Sequence, residues 1–185
     1  EMWGRFGIFV VIFSGMLVWE FVAPRRQLAQ PRQERWPTNL GLTLLDVALV
    51  WGTVGAIAYT AAVFAAEQQI GVLHWLPLPG WLAALLTLVV LDFALYLQHV
   101  ISHALPALWR LHQVHHADLG FDATTGLRFH PIEIFLSLAY KVAIVVLLGA
   151  VPWAVVVFEV ILNTTSVFNH ANVTLSVWLD RWLRW

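Results

Sequence analysis

Five histidines fall within one short stretch of this chain, in the patterns HxxxH (His99, His103) and HxxHH (His112, His115, His116). Residues four apart share one face of a helix, so each pattern directs two imidazoles toward a common point. Neutral imidazole binds iron, zinc, copper and nickel in preference to calcium or magnesium. More than four histidines exceed the needs of one tetrahedral ion, so the pattern predicts a site for two metal ions.

The composition around these histidines is that of a membrane protein. The 185 residues are 60% hydrophobic and 11% charged, whereas soluble domains have about 25% charged residues. The formal net charge of −1 gives no basic field that would attract nucleic acid, so we expect no nucleic-acid partner. The chain has no cysteine, which excludes disulfides, thiolate metal sites and cysteine nucleophiles within it.

Apolar segments long enough for helices recur along the chain. A bilayer core of ~30 Å needs about 20 helical residues, so the first three segments can cross it and the last two are marginal. We predict an all-α, multi-pass transmembrane bundle of about four to five membrane helices, built as a single membrane-embedded domain over residues 1–185. The five segments are 3–23, 40–66, 80–103, 133–150 and 152–169.

Arginine distribution predicts the orientation of the bundle. The 24–37 loop carries four arginines and one acid, which the positive-inside rule places in the cytoplasm. Counting crossings puts 67–79 outside and 104–132 inside. Every histidine except His74 then lies at the cytoplasmic ends of the helices, so we expect the metal site there and His74 across the membrane.

Further polar residues are candidates to complete or support the site. His170 is a sixth candidate ligand, at the end of the last apolar segment. His130 precedes a proline that could start a helix, so either a role at the metal or a capping role fits it. Three polar residues share helical stripes with the histidines, and we expect them to orient imidazoles by hydrogen bonding. These are Asp92, Glu159 and Asn163.

The histidine motifs resemble the fatty acid hydroxylase/sterol desaturase superfamily. The matching stretches are HVISH (99–103), LWR (108–110), HQVHH (112–116), RFHPIE (128–133) and FNHANV (168–173). Members are integral-membrane, histidine-rich di-iron proteins. The resemblance implies two iron ions bound by His99, His103, His112, His115 and His116, with His170 matching a later single histidine.

The same resemblance implies the reaction. O2 would be the co-substrate, and a C–H bond of a fatty acid, sterol or related lipid would be hydroxylated or desaturated. No catalytic residue is expected beyond the metal ligands. The chain shows no flavin or iron–sulfur motif, so electrons would come from an external donor, cytochrome b5-like or a ferredoxin and its reductase.

One departure from the family concerns the end of the chain. The family has a further HxxHH box after the segment that matches FNHANV, and this chain stops at Trp185 before such a box. We therefore expect the chain to be truncated at its C-terminus. A catalytically incomplete paralogue is the alternative.

Two other classes of membrane protein remain open. A metal-binding or transport protein would place ligands near the middle of the bilayer along a pathway, often in broken helices. A b-type haem protein would place one axial histidine on each of two facing helices. Dense histidine clusters at one rim favour the oxygenase over both.

Overall fold

The computed structural model describes residues 2–53 and 57–183, and its regular structure is helical. Within these residues, the β pairing is limited to one isolated antiparallel bridge between Pro24 and Val173. The predicted all-α fold is confirmed. The helices are α1 (Met2–Val22), α2 (Arg32–Thr53), α3 (Ile57–Glu67), α4 (Gly80–Ala104), α5 (Pro106–His116), α6 (Pro131–Leu148), α7 (Pro152–His170) and α8 (Val177–Leu183).

Four of the predicted apolar segments coincide with single helices, namely α1, α4, α6 and α7. The second segment, 40–66, begins in α2 and ends in α3, and residues 54–56 lie outside the described residues. Among the described helices, α4 and α6 are long and apolar enough to cross a membrane. The 25 residues of α4 extend about 37 Å at ~1.5 Å per residue, more than a bilayer core requires.

The helices pack around a small apolar core. α4 packs against α6 and α7, α3 packs against the same two helices, and α1 packs against α7. Leu91 of α4, Val145 of α6 and Phe158 of α7 meet in this core. The outer side of α4 instead exposes large apolar side chains such as Trp81 and Phe93. Exposed apolar faces of this kind suit a lipid environment.

One ion pair lies inside the apolar helices. The Nζ of Lys141 on α6 is 2.6 Å from Oε1 of Glu159 on α7, and both side chains are largely buried. A lysine in an apolar segment is costly unless an opposite charge lies close by. Glu159 therefore accounts for the presence of Lys141 in α6.

The two ends of the bundle differ in character. α4 and α7 end, and α6 begins, at the end where α5 lies. At the opposite end α6 stops at Gly149, whose φ of 68° is left-handed, and the chain turns directly into α7. His74 packs against Gly149 at this turn. The histidines of α4 and α5 and His74 thus lie at opposite ends of the bundle.

The N-terminal helix reaches the histidine-rich end. Oε1 of Glu20 on α1 accepts the backbone N–H groups of Ala123 (2.8 Å) and Asn172 (2.7 Å). Glu20 is buried, and its two donors belong to segments far apart in sequence. The carboxylate therefore ties the loop after α5 to the segment after α7.

Candidate metal centre

A sharp turn brings the two histidine motifs together. α4 ends at the extended residue Leu105, and Pro106 starts α5 at the position where its fixed φ suits a helix. The two helices then pack against each other. The HxxxH face at the end of α4 consequently meets the HxxHH face of α5.

Four imidazoles from these helices form one cluster, which we call the four-histidine group: His99, His103, His112 and His116. One ring nitrogen from each lies within 4.8 Å of the others. The Nε2 atoms of His99 and His103 are 3.2 Å apart, as are those of His112 and His116. Two nitrogens bound to one ion at ~2.1 Å lie roughly 3.4 Å apart in a tetrahedron, so the spacing suits a shared cation.

A second pair of imidazoles, His115 and His170, adjoins this group. Their Nε2 atoms are 3.0 Å apart. Nδ1 of His115 donates to the carbonyl oxygen of Arg128 (3.1 Å), and Nδ1 of His170 donates to that of Ser166 (2.7 Å). A carbonyl can only accept, so the proton of each neutral ring is on Nδ1. Both Nε2 atoms are then acceptors that face each other with no proton between them. A cation bound by both would remove the repulsion of their lone pairs.

Protonating the rings on α5 is disfavoured by their surroundings. Burial and, next, the neighbouring His170 lower the pKa of His115 to about 3. Burial, followed by the charges of neighbouring histidines, also lowers the pKa values of His112 and His116. Metal ligation requires the neutral ring, so these side chains are in the state that binds an ion.

The two groups share helix α5 and are in direct ring contact. The ring centroids of His115 lie 5.5 Å from His112 and 5.1 Å from His116. Trp109 packs beside the cluster, with its ring 5.2 Å from His103 and 5.6 Å from His116. The structure thus brings together all six histidines that the sequence singled out as the main candidates. The set consists of nitrogen donors and fits iron or a similar transition metal.

The other two histidines have different surroundings. Nδ1 of His130 accepts the backbone N–H of Ile132 (3.1 Å), so His130 caps the N-terminus of α6. The sequence left open a role at the metal and a capping role for His130, and the structure shows the capping contact. His74 lies at the far end of the bundle, where it packs against Gly149.

The three residues predicted to orient imidazoles do not contact them in the described part of the chain. Glu159 pairs with Lys141, Asn163 lines a small cleft between α1 and α7, and Asp92 is exposed on α4. The reason is distance along the helix. Asp92 and Asn163 each precede a histidine by seven residues, which is about 10 Å along the axis and too far for a hydrogen bond.

The groups that do orient the imidazoles were missed in the sequence. Oε1 of Glu133 lies 2.6 Å from Nδ1 of His112, and backbone carbonyls serve His115 and His170. Glu133 is in the first turn of α6, three residues after His130. Its place in the quoted RFHPIE motif was a signal, but its approach to α5 depends on tertiary packing.

Comparison with known proteins agrees with this arrangement. The model of the fatty acid hydroxylase family matches residues 84–185, more than half of the chain and all six clustered histidines. The chain belongs to the fatty acid hydroxylase family. The superfamily suggested by the histidine motifs is therefore confirmed.

This member of the fatty acid hydroxylase family also has a curated relative, and the alignment to it covers more of the chain than the family model does. The chain is 26% identical over 157 residues to the ornithine lipid hydroxylase OlsE of Rhizobium tropici. The alignment covers 78% of this chain and 47% of the relative, so the chain spans about half the length of that protein. No solved structure matches the chain.

Proposed function

We propose that the protein is a membrane di-iron oxygenase that uses O2 to hydroxylate a C–H bond of a lipid. The observation that carries the proposal is the pair of facing Nε2 acceptors of His115 and His170, 3.0 Å apart, beside the four-histidine group. Two adjacent sets of neutral nitrogen donors suit two transition-metal ions. Family membership supports iron as the metal.

The residues of the chain would hold the centre in a defined geometry. An ionised Glu133 would accept a hydrogen bond from Nδ1–H of His112 and leave its Nε2 free for an ion. The carbonyls of Arg128 and Ser166 do the same for His115 and His170. Such partners fix the tautomer and orientation of metal-binding histidines. Irons bound there would supply the activation of O2 that oxidation of an unactivated C–H bond requires.

Access to the centre would come from the α4 side. His99 and His103 are exposed, whereas His112 and His115 are buried. The ring of Trp109 covers His103 and His116 on one flank and would limit the entry of water. A lipid chain lying along the apolar outer face of α4 would bring its carbons to the exposed pair.

The lipid substrate and the membrane topology form part of the proposal. The relative is by name a lipid hydroxylase, which favours hydroxylation over desaturation and a membrane lipid as substrate. We propose four to five membrane helices, of which α4 and α6 have the strongest support. The arginines of the 24–37 loop support a cytoplasmic centre. Electrons would come from an external donor, cytochrome b5-like or a ferredoxin with its reductase.

The test combines metal analysis with isotope labelling. The full-length protein should contain two irons, and with 18O2, lipid and an electron donor it should yield lipid carrying one 18O. A metal transporter would bind metal without oxidising lipid. Iron-loaded protein that consumes no O2 with any membrane lipid extract, or oxidised lipid that carries oxygen from water, would refute the proposal.

A further inference from the structure

The loop between α5 and α6, residues 117–130, lies directly against the candidate metal centre. It contains a 3₁₀ turn, Thr125–Leu127, and its buried side chains are mainly polar. Asp122 and Thr124 are 0% exposed and Thr125 is 2% exposed. Buried polar groups need hydrogen-bonding partners, so the conformation of this loop depends on whatever supplies them. Most of the side-chain donors come from α2.

Arg35 of α2 is the main donor. Its Nε and Nη2 bind the two oxygens of Asp118 at 2.6 and 2.8 Å, and its Nη1 binds Asp122 at 2.9 Å. The side chains of Arg35 and Asp118 are 3% and 1% exposed. A buried two-point pair of this kind is strong and directional. Gly120 makes room for it, since a Cβ there would lie 2.2 Å from Cζ of Arg35.

Asn39, one turn further along α2, links this pair to the histidines. Its Nδ2 donates to Asp118 (2.8 Å) and to Thr124 (2.9 Å). Its Oδ1 accepts from Nη1 of Arg128 (3.0 Å). Nε of Arg128 in turn donates to the carbonyl of Val114 on α5 (2.8 Å). The backbone oxygen of Arg128 is the acceptor for His115, so one amide side chain holds the residue that orients His115.

We propose that Arg35 and Asn39 are positioning residues for the candidate metal centre. They hold Asp118 and Arg128, and thereby fix the carbonyl to which Nδ1 of His115 donates and direct its Nε2 toward His170. The inference rests on the proposed function, because it takes these nitrogens to be metal ligands. Arg35 and Asn39 themselves lie outside the residues that the family model matches, which begin at residue 84.

The proposal predicts a selective defect. The four-histidine group is built from α4 and α5 and has Glu133 as its own support, so it does not depend on the carbonyl of Arg128. Loss of the α2 contacts should therefore weaken binding of one ion and spare the other. A general loss of folding would affect both ions together.

The experiment uses the full-length protein loaded with Co²⁺, whose visible absorption reports coordination. Asn39→Ala removes three contacts, and Arg35→Lys keeps the charge but cannot form the two-point pair with Asp118. Thr87→Ala is the matched control, because Thr87 is buried near the opposite end of α4, where it accepts the N–H of Val151 (3.1 Å). Elemental analysis gives the number of cobalt ions, and circular dichroism monitors folding.

Wild-type protein and Thr87→Ala should bind two cobalt ions with the same spectrum. Asn39→Ala should retain one, and Arg35→Lys should bind its second ion at least about tenfold more weakly. Two ions with wild-type affinity and spectrum in both α2 variants would overturn the inference and leave the proposed function intact. Wild-type protein that binds no cobalt would overturn the proposed function and this inference with it. If Asn39→Ala does not fold, Arg35→Lys decides alone.

Discussion

Oε1 of Glu133 lies 2.6 Å from Nδ1 of His112, so the first turn of α6 supports a candidate ligand on α5. Replacing Glu133 with Ala should lower metal affinity about 10- to 100-fold, because His112 loses the acceptor that fixes its tautomer. Glu133→Gln keeps an acceptor oxygen, so its metal affinity should fall less than that of Glu133→Ala. Competition with a chelator measures the change. Glu67→Ala, an exposed change at the other end of the bundle, is the control, and an equal loss there would contradict the prediction.

Removing His170 should take away one of the two metal ions that we propose. Nε2 of His170 faces Nε2 of His115, and the four-histidine group does not include either ring. We expect His170→Ala to fall from two irons to about one per protein and to lose lipid oxidation. Elemental analysis decides the point. The control His74→Ala should keep both irons. If it also loses iron, the loss in His170→Ala cannot be assigned to the candidate metal centre.

The Lys141–Glu159 pair should show strong coupling in stability. The two charges lie 2.6 Å apart among apolar helices, so removing one leaves the other buried with less compensation. Lys141→Met and Glu159→Gln should each lower stability by about 3–5 kcal/mol, and the double variant should be less damaged than their sum. Thermal unfolding in detergent measures this. Additive losses would show that the pair is not coupled.

The metal-free protein should lose stability as the pH falls below about 6.5. Burial lowers the pKa of His115 to about 3, while an unfolded histidine has a pKa of ~6.5. Between these values the unfolded state binds more protons, so lower pH favours unfolding, by at most about 1.4 kcal/mol per pH unit for one histidine. His115→Gln should flatten the dependence, which unfolding measured from pH 7 to 4 will reveal. An unchanged slope would be evidence against the burial effect.

Cysteine labelling can test the proposed orientation, because the chain has no cysteine of its own. Single cysteines at Gln27 and Leu119 should resist an impermeant thiol reagent on intact cells, and one at Gln69 should react. All three should react in broken cells, which controls for accessibility. Labelling of the first two positions and not the third on intact cells would reverse the topology.

Local spacing predicted the clustering of the histidines well. The i, i+4 pairs His99/His103 and His112/His116 depend only on helical periodicity, and the short turn at Leu105 leaves the two motifs adjacent. His170 was predicted as a further ligand because the apolar segments place it at the same end of the bundle. These relationships need little knowledge of how distant helices pack.

The supporting groups depend on long-range packing and were not predicted. Glu133 reaches His112 across 21 positions, and Arg35 reaches Asp118 across 83. Sharing a helical stripe misled the choice of Asp92 and Asn163, because a stripe aligns residues without bringing them into contact when they are two turns apart. Backbone carbonyls, which support His115 and His170, have no signature in the sequence.

The Glu20 contacts have a consequence for where the functional unit begins. Its carboxylate accepts hydrogen bonds from the backbone N–H groups of Ala123 and Asn172, which both lie inside the family-matched region. Glu20 itself lies 64 positions before that region starts. A polypeptide cut at residue 84 would expose those two N–H groups and leave Asp118 without its guanidinium partner. The region matched by the family model therefore leaves out residues that hold the loop after α5 and the segment after α7 in place. Fragment swaps between relatives should carry the first two helices along with the histidines.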